Sequence, residues 1–144
     1  MLVELPTDDN AYPFSTELEV RMSDTAGGIH LGNHVMVQYM NESMMKLYAA
    51  MGFRGPLIGD VSFIQRDMAI CYRSEAGYGD VVQIFVAIEA FEEKQYHMIF
   101  RLYNPKKQRE IAHIKALFAS FNYKERKMVE VPQELKDAYQ KLKG

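Results

Sequence analysis

VRMSDTAGGIHLGNHVMVQYMNESMMKLYAAMGF, Val20 to Phe53, decides how the rest of the chain is read. It opens like a strand and closes like a long helix. The joint between them crowds together Gly27, Gly28, Gly32, Asn33, His30 and His34. An ordinary strand-to-helix loop needs about one glycine and one capping residue. This joint therefore reads as backbone kept bare so that something can approach it closely. The pattern predicts a helix from His34 to Met51, with Asn33 as its N-cap and Gly52 as its stop. His34, Gln38, Asn41, Glu42 and Lys46 fall in one polar stripe at ~100° per residue. Val35, Met36, Val37, Tyr39, Met40, Met44, Leu47, Tyr48 and Met51 fill most of the other sides, so the helix is expected to be covered on more than one side.

Upstream, Glu17 to Met22 alternates, with Leu18, Val20 and Met22 on one face, as a half-buried strand does. Downstream the chain reads as four strands. Ile64, Met68, Ile70 and Tyr72 share parity in the first, and Val82, Ile84, Val86 and Ile88 in the second. Tyr96, Met98, Phe100 and Leu102 mark the third, and Ala112, Ile114, Ala116 and Phe118 the fourth. The connections AGYGD, FEEKQ and NPKKQRE are short and turn-rich, which predicts hairpins and a four-strand meander. A short helix is expected over Gln133–Lys143, after Pro132. One helix and one antiparallel sheet satisfy each other's apolar faces best when the sheet curves around the helix. Ala112 and Ala116 would allow the close approach. Phe85, Ile99, Tyr103, Leu117 and Phe121 lie on the opposite sheet face and point to a second contact such as a dimer.

The 144 residues fit a single domain, 1–144, able to bury roughly 68–70% of the unfolded surface. Hydrophobic residues make up 48% and charged residues 25%, ordinary for a globular chain. With 17 basic and 19 acidic residues the formal charge is -2, which gives no electrostatic case for nucleic acid. No apolar run approaches the ~20 residues of a membrane span. MLVELPTDDNAYPF carries acids where a leader peptide carries bases, and Cys71 has no partner for a disulfide; both fit a cytoplasmic protein. Cys71, set in an apolar strand, reads as core rather than nucleophile.

Strand, SDTAGGIHLGN, long helix and further strands together resemble the hotdog fold, an α+β architecture. Within it the chain is most similar to acyl-CoA thioesterases related to the 4-hydroxybenzoyl-CoA thioesterase family. Arg21, Ser23, Asp24, His30, Asn33 and Glu42 carry the likeness, with YGD at Tyr78–Asp80 and the FNYKERK ending. The resemblance implies thioester hydrolysis, no cofactor beyond the coenzyme A of the substrate, and a homodimer or homotetramer. It also implies that the helix start of one subunit meets Glu42 of another. One departure stands out. The position two residues after Asp24, an aspartate that does the chemistry in one branch, is here Ala26.

With that carboxylate gone, Glu42 is the first candidate for general base or nucleophile and Asp24 the second, with His30 and Asn33 to orient water or substrate. Free amides at a helix start can hold an oxyanion, which nominates Asn33, His34 and Val35, with Gly28 and Gly32 admitting the thioester and Gln38 assisting. Each also has a plainer role. Glu42 and Lys46 make an i, i+4 pair, Asp24 can brace its loop, and Asn33 can simply cap. His30 and His34 have metal-like spacing, but a zinc site wants three or four ligands and none is expected. A protein that holds an acyl group without cleaving it is the competing expectation, favoured by Ala26.

Overall fold

The computed structural model describes residues 3–144. β1 (Phe14–Glu19) leads through a short 3-10 turn, Met22–Asp24, into a small hairpin of β2 (Thr25–Ala26) and β3 (His30–Leu31). α1 (Asn33–Ala50) follows, then β4 (Leu57–Ile58), β5 (Val61–Tyr72), β6 (Val81–Phe91), β7 (Gln95–Asn104), β8 (Arg109–Asn122), β9 (Lys127–Met128) and α2 (Gln133–Lys143). The main sheet is antiparallel and curls around α1, which is the hotdog arrangement. Its order is β1-β6-β7-β8-β5-β4, with β9 beside β8.

The expected four-strand meander is corrected here. Only β6, β7 and β8 turn back on one another; β5 pairs with β8, from Val61 opposite Asn122 to Tyr72 opposite Ala112. The stretch read as a hairpin turn instead crosses the end of the sheet. It is pinned on the way: the Ala76 carbonyl accepts from the Leu31 amide at 2.7 Å, and the Val20 and Gly79 amides bond to Asp80 and Val20 carbonyls. A segment tied to the helix joint cannot reverse beside its own strand.

The inward parities of β6, β7 and β8 hold. Val82, Ile84, Val86, Tyr96, Met98, Phe100, Leu102, Ala112 and Ile114 are all fully buried against the helix. β5 departs from the alternation, because the register slips between Gln65 and Asp67. Phe63 faces inward before the slip and Met68 and Ile70 after it, so Ile64 does not share their face. Cys71, expected in the core, lies on the opposite parity from Met68 and Ile70, across from His113 on the outer face. β1 sits earlier than Glu17–Met22, because Met22 is drawn into the 3-10 turn and left 57% exposed.

Part of the outer face is covered by the chain itself. Leu5 and Tyr12 pack on Phe85, Ala87 and Ile99, with Val3 and Tyr103 beside them. Beneath this N-terminal strap Arg101 is buried; it grips both carboxylate oxygens of Glu110 at 2.7 Å and reaches Asp9 at 2.8 Å. The Leu5 amide donates to Nδ1 of the buried His113, whose Nε2 donates to Glu110. α2 closes the other end of the sheet, and its Tyr139 hydroxyl accepts the Ile88 amide where β6 bulges. No helix among the described residues is long and apolar enough to cross a membrane.

Candidate functional site

Two of the three joint glycines serve a turn. Gly27 and Gly28 have φ of 64° and 77°, and the Ile29 amide bonds to the Ala26 carbonyl, which closes a tight turn within the three-residue loop between the paired Ala26 and His30. Turns with positive φ at both central residues strongly favour glycine. Gly28 was expected to admit substrate; its geometry is accounted for by the turn, and a Cβ there would meet only the Met22 sulfur at 3.6 Å. Gly32 is the N-cap of α1, displacing Asn33 from the expected capping role to the first helical position. Its own amide donates to the Asp24 carbonyl at 3.0 Å, and glycine has no side chain with which to cap the helix.

At the head of α1 the Val35 amide already donates to the Gly32 carbonyl at 3.0 Å, and the Val35 side chain is in the core. The Asn33 and His34 amides have no partner among the described residues. Both side chains are exposed. His30 and Asn33 line a cleft of about 350 Å³ with Leu31, Met36, Tyr72 and Arg73. There the Tyr72 hydroxyl donates to the Asn33 carbonyl at 3.3 Å, and His30 Nδ1 lies 3.1 Å from the Leu31 carbonyl. A carbonyl only accepts, so that contact puts the ring proton on Nδ1 and leaves Nε2 free.

Glu42, Asp24 and Gln38 come together elsewhere, in a cleft of about 550 Å³ between β1 and the exposed side of α1. Leu18, Glu19, Arg21, Tyr39, Asn41 and Met45 complete it. Glu42 forms no ion pair with Lys46 among the described residues, so the i, i+4 pairing is absent. Asp24 is braced. Its Oδ2 accepts from the Tyr39 hydroxyl at 2.7 Å, the Arg21 amide at 3.0 Å and Arg21 Nε at 3.5 Å. Burial pushes this carboxyl up, but the hydrogen bonds from Tyr39 and Arg21 outweigh it and hold it below the ordinary aspartate range. Burial and the same bond push the Tyr39 hydroxyl well up, so it stays protonated and donates. Oδ1 takes no bond among the described residues.

Ala26 is exposed on β2 and supplies no acid to either cleft. Among the described residues no three His, Cys, Asp or Glu side chains group as a metal site. Sequence reasoning missed Tyr39 and Tyr72. Tyr39 was read only as part of the apolar arc, although a tyrosine at the edge of such an arc carries a polar tip that usually finds a partner.

A family model described as thioesterase-like superfamily matches residues 20–139, which span the joint, α1 and the whole sheet after β1. The chain belongs to that superfamily. No curated protein matches it significantly. Among solved structures it is similar to a 1,4-dihydroxy-2-naphthoyl-CoA thioesterase from Synechocystis, with 17% identity, TM-score 0.82, and coverage of 91% of this chain and 98% of that one. It also resembles a Staphylococcus aureus protein solved in complex with CoA, with 13% identity, TM-score 0.80, and coverage of 90% and 83%. A 12:0-ACP thioesterase from Umbellularia californica is similar at 14% identity and TM-score 0.77, over 90% of this chain and 53% of that one. At these identities the likeness to solved structures shows the fold alone.

Proposed function

We propose that the chain hydrolyses acyl-CoA thioesters as a homodimer, with Glu42 as general base. The observation that carries this is the separation of the two clefts. Asn33 and Glu42 stand nine residues apart on one helix, about 13 Å at ~1.5 Å per residue. One thioester carbon cannot touch both, whereas the α1 head of a second copy could bring its free amides opposite Glu42. β5 has backbone free to pair: one side is bonded to β8, and the other to β4 only at Val61 and Ser62.

The chemistry then follows. The Glu42 carboxylate takes a proton from water as the water oxygen bonds to the thioester carbon. The oxyanion that forms is held by the Asn33 and His34 amides at the positive end of the helix dipole. Collapse breaks the C–S bond, and the thiolate leaves with the proton held by Glu42, giving free acid and coenzyme A. Gln38 and Asn41 line the same cleft and orient the water, and Asp24, held below the ordinary aspartate range by its hydrogen bonds, makes a poor base. The Synechocystis and Staphylococcus relatives support a coenzyme A thioester as the substrate class.

Ala26 favours a second reading, an acyl-group binding protein without turnover. Thiol release from a panel of acyl-CoAs separates the two. The hydrolase is expected to release thiol, and Glu42→Ala to lower kcat about 10²-fold or more. Binding of acyl-CoA with no thiol released from any of them would establish the binding protein instead.

A further inference from the structure

The Tyr39–Asp24 hydrogen bond is the one side-chain tie from the body of α1 to the joint before it, among the described residues. Tyr39 lies on the second turn of the helix, and Asp24 lies ahead of the glycine hairpin. Their bond at 2.7 Å therefore closes a ring around residues 25–38. Both residues are buried, at 6% exposure each. The other donors to the Asp24 carboxylate both come from Arg21, three residues away, and its side chain is 77% exposed. Those bonds shape the 3-10 turn but cannot fix it to the helix. The backbone of Asp24 passes the restraint on: its carbonyl accepts the Gly32 amide at 3.0 Å, and the Gly32 carbonyl accepts the Val35 amide. Gly32 thus stands between the clamp and the two free amides of Asn33 and His34.

We propose that Tyr39 is a positioning residue, its hydroxyl setting, through Asp24 and Gly32, where the head of α1 stands against the thioester carbonyl. The inference rests on the hydrolase reading above and adds a residue that touches no reacting atom. Donors to an oxyanion work only when fixed before the charge appears, and a misplacement of ~1 Å can cost ~10²-fold in rate. An unclamped helix head would bind the substrate as before while aiming its amides poorly. Tyr39 consequently acts on kcat and leaves KM nearly alone.

Tyr39→Phe removes the hydroxyl and keeps the buried ring. Two measurements are made on the full chain: steady-state thiol release, and amide hydrogen exchange at Gly32 with core amides of β7 as reference. The expected result is a kcat lowered about 10-fold or more, a KM within about 3-fold, and faster exchange at Gly32 with unchanged exchange in β7. Unchanged exchange at Gly32 overturns the proposal whatever the activity does. Faster exchange there with wild-type kcat overturns it as well, and so does a fall in kcat accompanied by loosening of β7, which marks a merely structural tyrosine. Should the wild type cleave no thioester, the hydrolase reading falls, and Gly32 exchange alone still decides whether the clamp exists.

Discussion

Two polar networks lie on opposite faces of the same sheet, and they differ in what they leave undone. Under the N-terminal strap every strong group is answered. Arg101 spends Nε and Nη2 on Glu110 and Nη1 on Asp9, and His113 uses both ring nitrogens. On the helix side, among the described residues, Asp24 keeps one oxygen unbonded, Glu42 has no ion-pair partner, and two amides at the head of α1 find no acceptor. A closed network holds the fold, whereas an open one retains groups for something that arrives later. Buried charges are tolerated when paired and bonded, which is why the closed network can lie under a strap.

The largest effects expected separate the two networks cleanly. Glu42→Ala should cost about 10²-fold in kcat while leaving the unfolding midpoint in urea where it was. Arg101→Leu should do the reverse, removing roughly 3 kcal/mol of stability by stranding the largely buried Glu110, with turnover per folded molecule unchanged. Loss of turnover in the folded Arg101 variant would break the division between the faces.

Acid sharpens the comparison next. Burial pushes the Glu110 carboxyl up, but the bonds from Arg101 and His113 outweigh this and hold it below the ordinary glutamate range; Asp24 is held down in the same sense. A carboxyl whose folded value lies below its unfolded value adds stability that is complete above the ordinary carboxylate range. That stability is lost as pH falls through the folded value. Urea midpoints followed from pH 6 to pH 3 should therefore fall below about pH 4 in the wild type. Asp24→Asn and Glu110→Gln should each flatten the fall, Glu110→Gln more because its partner is a bidentate guanidinium. The smallest effect is at Gly28. Gly28→Ala meets open space apart from the Met22 sulfur, so it should cost only the left-handed backbone strain, about 1 kcal/mol, with kcat unchanged. A large fall in kcat without loss of stability would return that glycine to the substrate.

These same positions explain what could be read before the structure. The inward faces of β6, β7 and β8 were legible because side chains alternate along a strand and the register slips lie outside the runs Val82 to Ile88, Tyr96 to Leu102 and Ala112 to Phe118. Phe63 was hidden because the slip between Gln65 and Asp67 reverses parity in mid-strand, which no local pattern announces. The pairing of β5 with β8 was hidden because a short glycine-bearing connection looks alike whether it turns or crosses. The strap was unreadable in Leu5 to Tyr12, since two apolar side chains without a period make no signal. At the joint, Asp24 and Glu42 were legible as charges near a helix, and the structure puts them in one cleft. It assigns Gly27 and Gly28 to a hairpin, a use that spacing alone did not distinguish from a cradle.

The crossing from β5 to β6 has a consequence for how the molecule comes into being. β6, β7 and β8 can zip together from neighbouring hairpins, but Tyr72 finds Ala112, and Val61 finds Asn122, only after the loop between them has closed. A chain emerging from the ribosome must therefore carry β5 unmated until β8 has appeared, with Phe63, Met68 and the apolar side of α1 open to the cell in the meantime. The last strand of the zipper shuts the first half of the protein, and until then that half is the part most in need of a chaperone.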